Sequence, residues 1–193
     1  MLEKIHQGLG IPADYASSCG MPMHEDCPDL VAVGEDAFGR PARLERQTAQ
    51  AWQRLQQAAS AAGVVLHLVS AYRSTDYQRE LIERKLARGL LIADILKVNA
   101  APGYSEHHSG RAIDIGTPGF AALEEEFEKS EAFAWLLAHA SRFGFRLSFP
   151  RNNRFGVMYE PWHWFYAGAA AESVEQAEEQ AGKQAEEQNE KQA

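Results

Sequence analysis

Apolar and small residues recur at helical spacing in one long stretch of the chain. Leu44, Thr48, Ala51, Trp52, Leu55, Ala58, Ala59 and Ala62 fall on a single stripe, a three-and-four period that predicts an amphipathic helix. Pro41 is placed to open it and Gly63 to close it. Residues 64–70, VVLHLVS, are short, β-branched and mostly apolar, which predicts a buried strand. Thr75-Asp-Tyr-Gln78 has the form of a capping box and predicts a second helix running to Gly89. Residues 90–97 predict a further short helix, and 101–104 a turn. Residues 110–116, GRAIDIG, set Ala112 and Asp114 against Ile113 and Ile115, the alternation of a strand with two different faces. Ser130 predicts the cap of a third helix through Phe133, Leu136, Leu137, Ala140 and Phe143, stopped by Gly144. Residues 145–149, 155–159 and 162–166 read as aromatic-rich strands separated by turn signals. Strands linked this closely leave no room for helical crossovers, so they pair antiparallel. The expected fold is a single α+β domain, a small antiparallel sheet with helices packed around it.

The two ends differ from this middle. Residues 1–40 are rich in Gly, Pro and Asp, with one apolar run at 30–33. They predict a loop-rich arm, carrying one short strand, packed on a domain at 41–170. Residues 171–193 repeat every four positions, with Gln at 176, 180, 184, 188 and 192. Helix propensity is high there but no apolar face exists to bury, which predicts a solvated helix or disorder without a catalytic part.

Composition narrows the function classes. At 193 residues and 45% apolar content, one core can be buried without help from disulfides or metal. No window approaches the ~18 apolar residues of a membrane span. Of the net charge of −8, seven Glu and two Lys from residue 172 onward supply most. The body is near neutral and lacks the basic stripe of a nucleic-acid binder or the basic cluster that seeks anionic lipid. Cys19 and Cys27 make no disulfide framework, and with His24 they fit no common zinc spacing. The first residues show no basic region followed by an apolar stretch, so the expectation is a cytoplasmic protein with reduced thiols.

Three stretches carry candidate chemistry: 70–74 (SAYRS), 105–114 (SEHHSGRAID) and 160–164 (EPWHW). His107, Asp114 and His163 form a nitrogen–nitrogen–oxygen ligand set, and catalytic zinc commonly has three protein ligands with one position open. In an extended segment His107 and His108 point to opposite sides, so one of them reaches such a metal. Glu160, three residues before His163, is close enough to act as general base and then acid. Pro161 argues against a helix there, so this is not the helical H-E-x-x-H pattern. Arg73, directly after the buried strand, can clamp a carboxylate or polarise a carbonyl. Gln78 faces a choice between reaching substrate and closing the capping box with Thr75.

These residues make the sequence resemble the VanY-type D-Ala carboxypeptidases, zinc peptidases grouped with VanX-type dipeptidases and the Hedgehog amino-terminal domain. The pattern S-x-H-x-x-G-x-A-x-D matches Ser105, His107, Gly110, Ala112 and Asp114. E-x-W-H matches Glu160, Trp162 and His163, and Y-R-S-x-x-x-Q matches Tyr72, Arg73, Ser74 and Gln78. The three blocks occur in the family's order across roughly residues 64–166. The resemblance implies zinc at the sheet surface held by His107, Asp114 and His163, with Glu160 as base. It also implies that Arg73, Gln78 and Ser105 bind the peptide's C-terminal end or the developing oxyanion.

The expected substrate is a muropeptide losing its C-terminal D-Ala. A cytoplasmic enzyme meets tetrapeptides returned during wall recycling, which favours an L,D-carboxypeptidase. The alternatives are a D,D-carboxypeptidase on pentapeptide ends, a non-catalytic zinc-stabilised binding module, and a phage-type lysin. Glu160 speaks against the module, which needs no base, and the missing wall-binding domain against the lysin.

Overall fold

A computed structural model describes residues 2–168; the expected repeat tail at 171–193 lies outside them. The chain is built around a four-stranded antiparallel sheet. β1 (Leu30–Glu35) and β2 (Pro41–Glu45) form a separate hairpin, followed by α3 (Arg46–Ala61). β3 (His67–Ser70), β4 (Ala112–Gly116), β5 (Phe145–Leu147) and β6 (His163–Tyr166) make the main sheet in the order β3-β4-β6-β5. Every pair in it is antiparallel, as the short connections require. α1 (Leu2–Leu9) and α2 (Tyr15–Ser18) precede the hairpin. α4 (Thr75–Ala87) and α5 (Ile92–Val98) lie between β3 and β4, and α6 (Glu131–His139) between β4 and β5.

β4 is buried along its whole length, and its alternation divides two environments. Ile113 and Ile115 join Trp52 and Leu55 of α3, Phe133 and Leu136 of α6, Phe145 and Trp164 in the main core. A second cluster unites Leu9, Ile11, Tyr15 and Met21 of the N-terminal region with Ile82 of α4, Ile95 of α5, Tyr104 and Phe149. The polar face of β4, bearing Asp114, is turned away from the main core.

Several elements differ from the sequence reading. Pro41 opens no helix: residues 41–45 are β2, paired through Leu44 with Val31. Asp36 builds the hairpin turn by accepting from the amides of Phe38 and Arg40, an Asx-type turn that competes with helix formation. The helix starts at Arg46, where the Glu45 side chain caps the amides of Gln47 and Thr48. Residues 1–40 hold two helices beside the expected short strand. Residues 155–159 form no strand; the Asn153 side chain holds the carbonyls of Pro150 and Val157 and the amide of Phe155, fixing a loop instead. The third predicted helix ends at His139 and continues as a 3-10 turn, Ala140–Phe143, before Gly144 at φ 80°. Ser130 caps α6 as expected, accepting from the Phe133 amide.

Candidate metal centre and cleft

The sheet register assembles the centre. Asp114 on β4 stands directly across from His163 on β6, and opposed side chains on one sheet face lie within contact. Asp114 Oδ1 is 3.0 Å from His163 Nδ1. His107 comes from a 3-10 turn, Glu106–Ser109, rather than an extended segment. Its Nε2 lies 3.3 Å from Asp114 Oδ2, and its ring meets that of His163 edge-on at 5.0 Å. One ligand atom from each of His107, Asp114 and His163 falls within 4.8 Å of the others, and all three residues are buried.

The segment after β3 sorts the histidine pair. His107 Nδ1 donates to the Ala71 carbonyl at 2.6 Å, leaving Nε2 with a lone pair. His108 Nδ1 donates to the Arg73 carbonyl at 2.6 Å, and its Nε2 accepts from the Gly103 amide at 3.1 Å. Both nitrogens of His108 are therefore occupied.

These donors fit a zinc ion. His107 Nε2 is buried without a hydrogen-bond partner, a costly state for a ring nitrogen that a cation relieves. His163 has one nitrogen engaged by Glu106 Oε2 at 2.9 Å, so its Nδ1 faces the centre. Two imidazoles and a carboxylate with outer acceptors on both rings match the chemistry of catalytic zinc.

Electrostatics without the ion are those of a strongly coupled cluster. Burial and the nearby Arg73 guanidinium push His107 down to about 4. Burial opposes the charged form of His163 too, but hydrogen bonds to Asp114 and Glu106 prevail and raise it to about 10. Asp114, though buried, is held well below the carboxylate range by both histidines. Without the ion the charged form is thus favoured on His163 and the neutral form on His107.

Glu160 approaches the same nitrogen of His163, with Oε2 3.7 Å away. Burial raises it to about 7 against the opposing pull of His163, within the range of a general base. Arg73, Asp114 and Glu160 line one cleft of about 340 Å³, together with Lys85, Leu123, Glu124, Met158 and Trp162. Arg73 Nε is buried and unpartnered.

Gln78 and Ser105 are buried and absent from the cleft lining. Gln78 closes no capping box: Ser74 is the cap of α4, accepting from the Tyr77 amide. The Gln78 amide donates to the Ala100 carbonyl at 2.8 Å, leaving Oε1 unpartnered. The Ser105 hydroxyl caps nothing. Cys19 and Cys27 are half-buried free thiols. Glu106 escaped the sequence reading, although it stands between Ser105 and His107. Its partners Ser148 and His163 lie 42 and 57 positions away, and only the fold brings them together.

A buried histidine–aspartate–histidine centre on an antiparallel sheet, open to a cleft with a basic and an acidic residue, has the donor set of a zinc site with an accessible side. Residues 41–169 match the VanY family, described as D-alanyl-D-alanine carboxypeptidase, and the chain belongs to that family. It is 31% identical over 181 residues to the putative carboxypeptidase YodJ of Bacillus subtilis, covering 91% of this chain and 63% of that protein. It thus spans less than two thirds of that curated relative's length. Among solved structures, the LdcB LD-carboxypeptidase superposes with a TM-score of 0.69 at 30% identity, covering 82% of this chain and 77% of the other. A mutant of the vancomycin-resistance D,D-pentapeptidase VanY, solved in complex with Zn(II), gives 0.59 at 29% identity, covering 81% and 92%. Among the described residues no helix is long and apolar enough to cross a membrane.

Proposed function

We propose that the chain is a zinc carboxypeptidase that removes the C-terminal D-Ala from peptidoglycan peptides, with an L,D-linked tetrapeptide as substrate. The observation that carries this reading is the placing of Glu160 3.7 Å from the metal-facing nitrogen of His163, within the cleft that also exposes Asp114 and Arg73. A binding module has no use for a base at that position. The L,D preference rests on the expected encounter with recycled tetrapeptides; the structural neighbours include both L,D-carboxypeptidases, at TM-scores of 0.69 and 0.54, and a D,D-pentapeptidase at 0.59.

In this mechanism His107, Asp114 and His163 would hold the zinc, which would supply Lewis acidity toward water and the scissile carbonyl. Glu160 accepts the proton of the attacking water and delivers it to the leaving amine as the C–N bond breaks. The Arg73 guanidinium faces the carbonyl oxygen as its negative charge develops, a contribution worth about 10²–10³ in turnover. Gln78 stands outside the cleft lining; its Oε1 is buried without a partner while its amide holds the Ala100 carbonyl. Ser105 sits at the head of the turn carrying His107. A cytoplasmic recycling role is the accompanying expectation, which cell fractionation checks.

Mass spectrometry of purified tetrapeptide and pentapeptide muropeptides, with and without a chelator, tests the reading. Loss of D-Ala from tetrapeptide, abolished by chelator and restored by zinc, is expected. Loss from pentapeptide alone assigns D,D specificity instead, and loss from neither removes the enzyme reading.

A further inference from the structure

Lys85 lines the same cleft as Arg73, Asp114 and Glu160, yet none of the family blocks in the sequence includes it. It lies in the last turn of α4. The neighbouring cations of this helix are neutralised locally, Arg79 by Glu83 at 2.8 Å and Arg84 by Glu80 at 3.7 Å. Lys85 instead turns inward, half-buried, and its ammonium donates to Asn99 Oδ1. Among the described residues neither Lys85 nor Arg73 has a carboxylate within 4.0 Å. Burial and the Arg73 and Arg88 guanidiniums disfavour the charge on Lys85, and Glu160 of the same cleft favours it.

Glu160 favours both charges from across the cleft, but beyond 4.0 Å and itself raised to about 7 by burial it offsets them only in part, so two like charges drawn together out of water stay poorly compensated until an anion joins them. The cleft also fixes where an anion goes. Glu124 and Glu125, on the segment preceding α6, line it as well and repel a carboxylate, so the wall formed by Arg73 and α4 is the attractive one. The group that needs such a wall is one residue past the scissile carbonyl, about 3.8 Å along the Cα trace. It is the free terminal carboxylate.

Resting on the proposed carboxypeptidase reading, we infer that Lys85 and Arg73 together bind the α-carboxylate of the residue removed, and that Lys85 makes the cleft selective for a free C-terminus. Arg73 is shared with the carbonyl; Lys85 contacts the carboxylate alone. The alternative is that Lys85 serves only to seat Asn99 and α5.

The test uses the zinc-loaded full chain and two matched peptides, a tetrapeptide ending in D-Ala as the free acid and as its C-terminal amide. A charge-assisted hydrogen bond accounts for about tenfold or more in binding. Lys85→Met is expected to raise KM for the acid by about tenfold or more, change kcat less than about threefold, and leave the amide untouched. Lys85→Arg is expected to keep the preference for the acid. Equal losses on acid and amide assign Lys85 to the scaffold and overturn the inference, as does an unchanged KM for the acid. Parent protein that cleaves acid and amide equally well overturns the inference while the peptidase reading stands. Parent protein that cleaves neither removes both.

Discussion

Glu106 Oε2 lies 2.9 Å from Nε2 of His163, on the side of the ring turned away from the metal centre. The same oxygen accepts from the Ser148 hydroxyl at 2.6 Å, and Arg146 approaches the other at 3.5 Å. A carboxylate on the outer nitrogen fixes the ring's tautomer and orientation and raises its basicity. Glu106→Ala is therefore expected to weaken zinc binding about 10–100-fold, measured by competition with a chromogenic chelator, and to lose less activity when zinc is saturating. An unchanged zinc affinity would show that Glu106 only fills space behind the ring.

In the proposed mechanism Glu160 links function to stability. Its folded value of about 7 exceeds the ordinary 4.5 because burial disfavours the carboxylate. The folded state therefore binds the extra proton, and this contribution is fully present below about pH 4.5 and lost as pH rises through about 7. Glu160→Gln removes the titration. In metal-free protein the variant should match the parent near pH 4 and exceed its stability at pH 8 by up to about 3 kcal/mol, read from urea melts with chelator present. Zinc-loaded Glu160→Gln or Glu160→Ala should keep the metal and lose turnover. In the parent, kcat/KM should rise with pH along an acid limb at or below about 7, since the base acts ionised.

Ser74, not Thr75, caps the helix that carries Gln78 and Lys85. Its hydroxyl accepts from the Tyr77 amide at 3.1 Å, whereas the Thr75 hydroxyl meets only the exposed Asp26. Ser74→Ala should cost about 1 kcal/mol and Thr75→Val clearly less, by chemical denaturation. The reverse order would restore the reading in which Gln78 closes a capping box.

The same pair shows where the sequence was legible. The capping-box pattern located the start of α4 to within a residue, but Ser74 and Thr75 are both competent caps and the chain alone does not choose between them. The centre was legible because its donors are rare residue types in short blocks, and because the alternation of β4 places Asp114 on the face away from Ile113 and Ile115. The hairpin was obscured by coincidence: Leu44 fits a helical stripe with Thr48 and Ala51, yet it is buried from a strand. Glu106 was invisible for another reason. A glutamate between a serine and a histidine looks like any surface acid until β5 and β6 deliver its partners. The loop at 155–159 has a strand's composition, and a single side chain, Asn153, holds it in another shape.

Gly110 is the position of the central motif where geometry leaves the least room. It follows the turn bearing His107 with φ at +67°, a conformation costly for residues with a Cβ. An added Cβ would lie 2.8 Å from the Glu45 amide nitrogen and 3.0 Å from Leu30 Cδ2. That amide also donates to the Gly110 carbonyl at 3.0 Å, so β2 and the turn are pinned together and neither can retreat. Gly110→Ala combines backbone strain with a clash against main chain, and should destabilise by about 2 kcal/mol or more. Because relief must come from moving the 106–109 turn, zinc affinity should fall with stability. Thermal melts of the metal-free and zinc-loaded protein separate the two effects. A larger loss of melting temperature in the zinc-loaded form is expected, since displacement of His107 lowers the linkage energy the ion supplies. An equal loss in both forms would place the strain in the hairpin and leave His107 undisturbed.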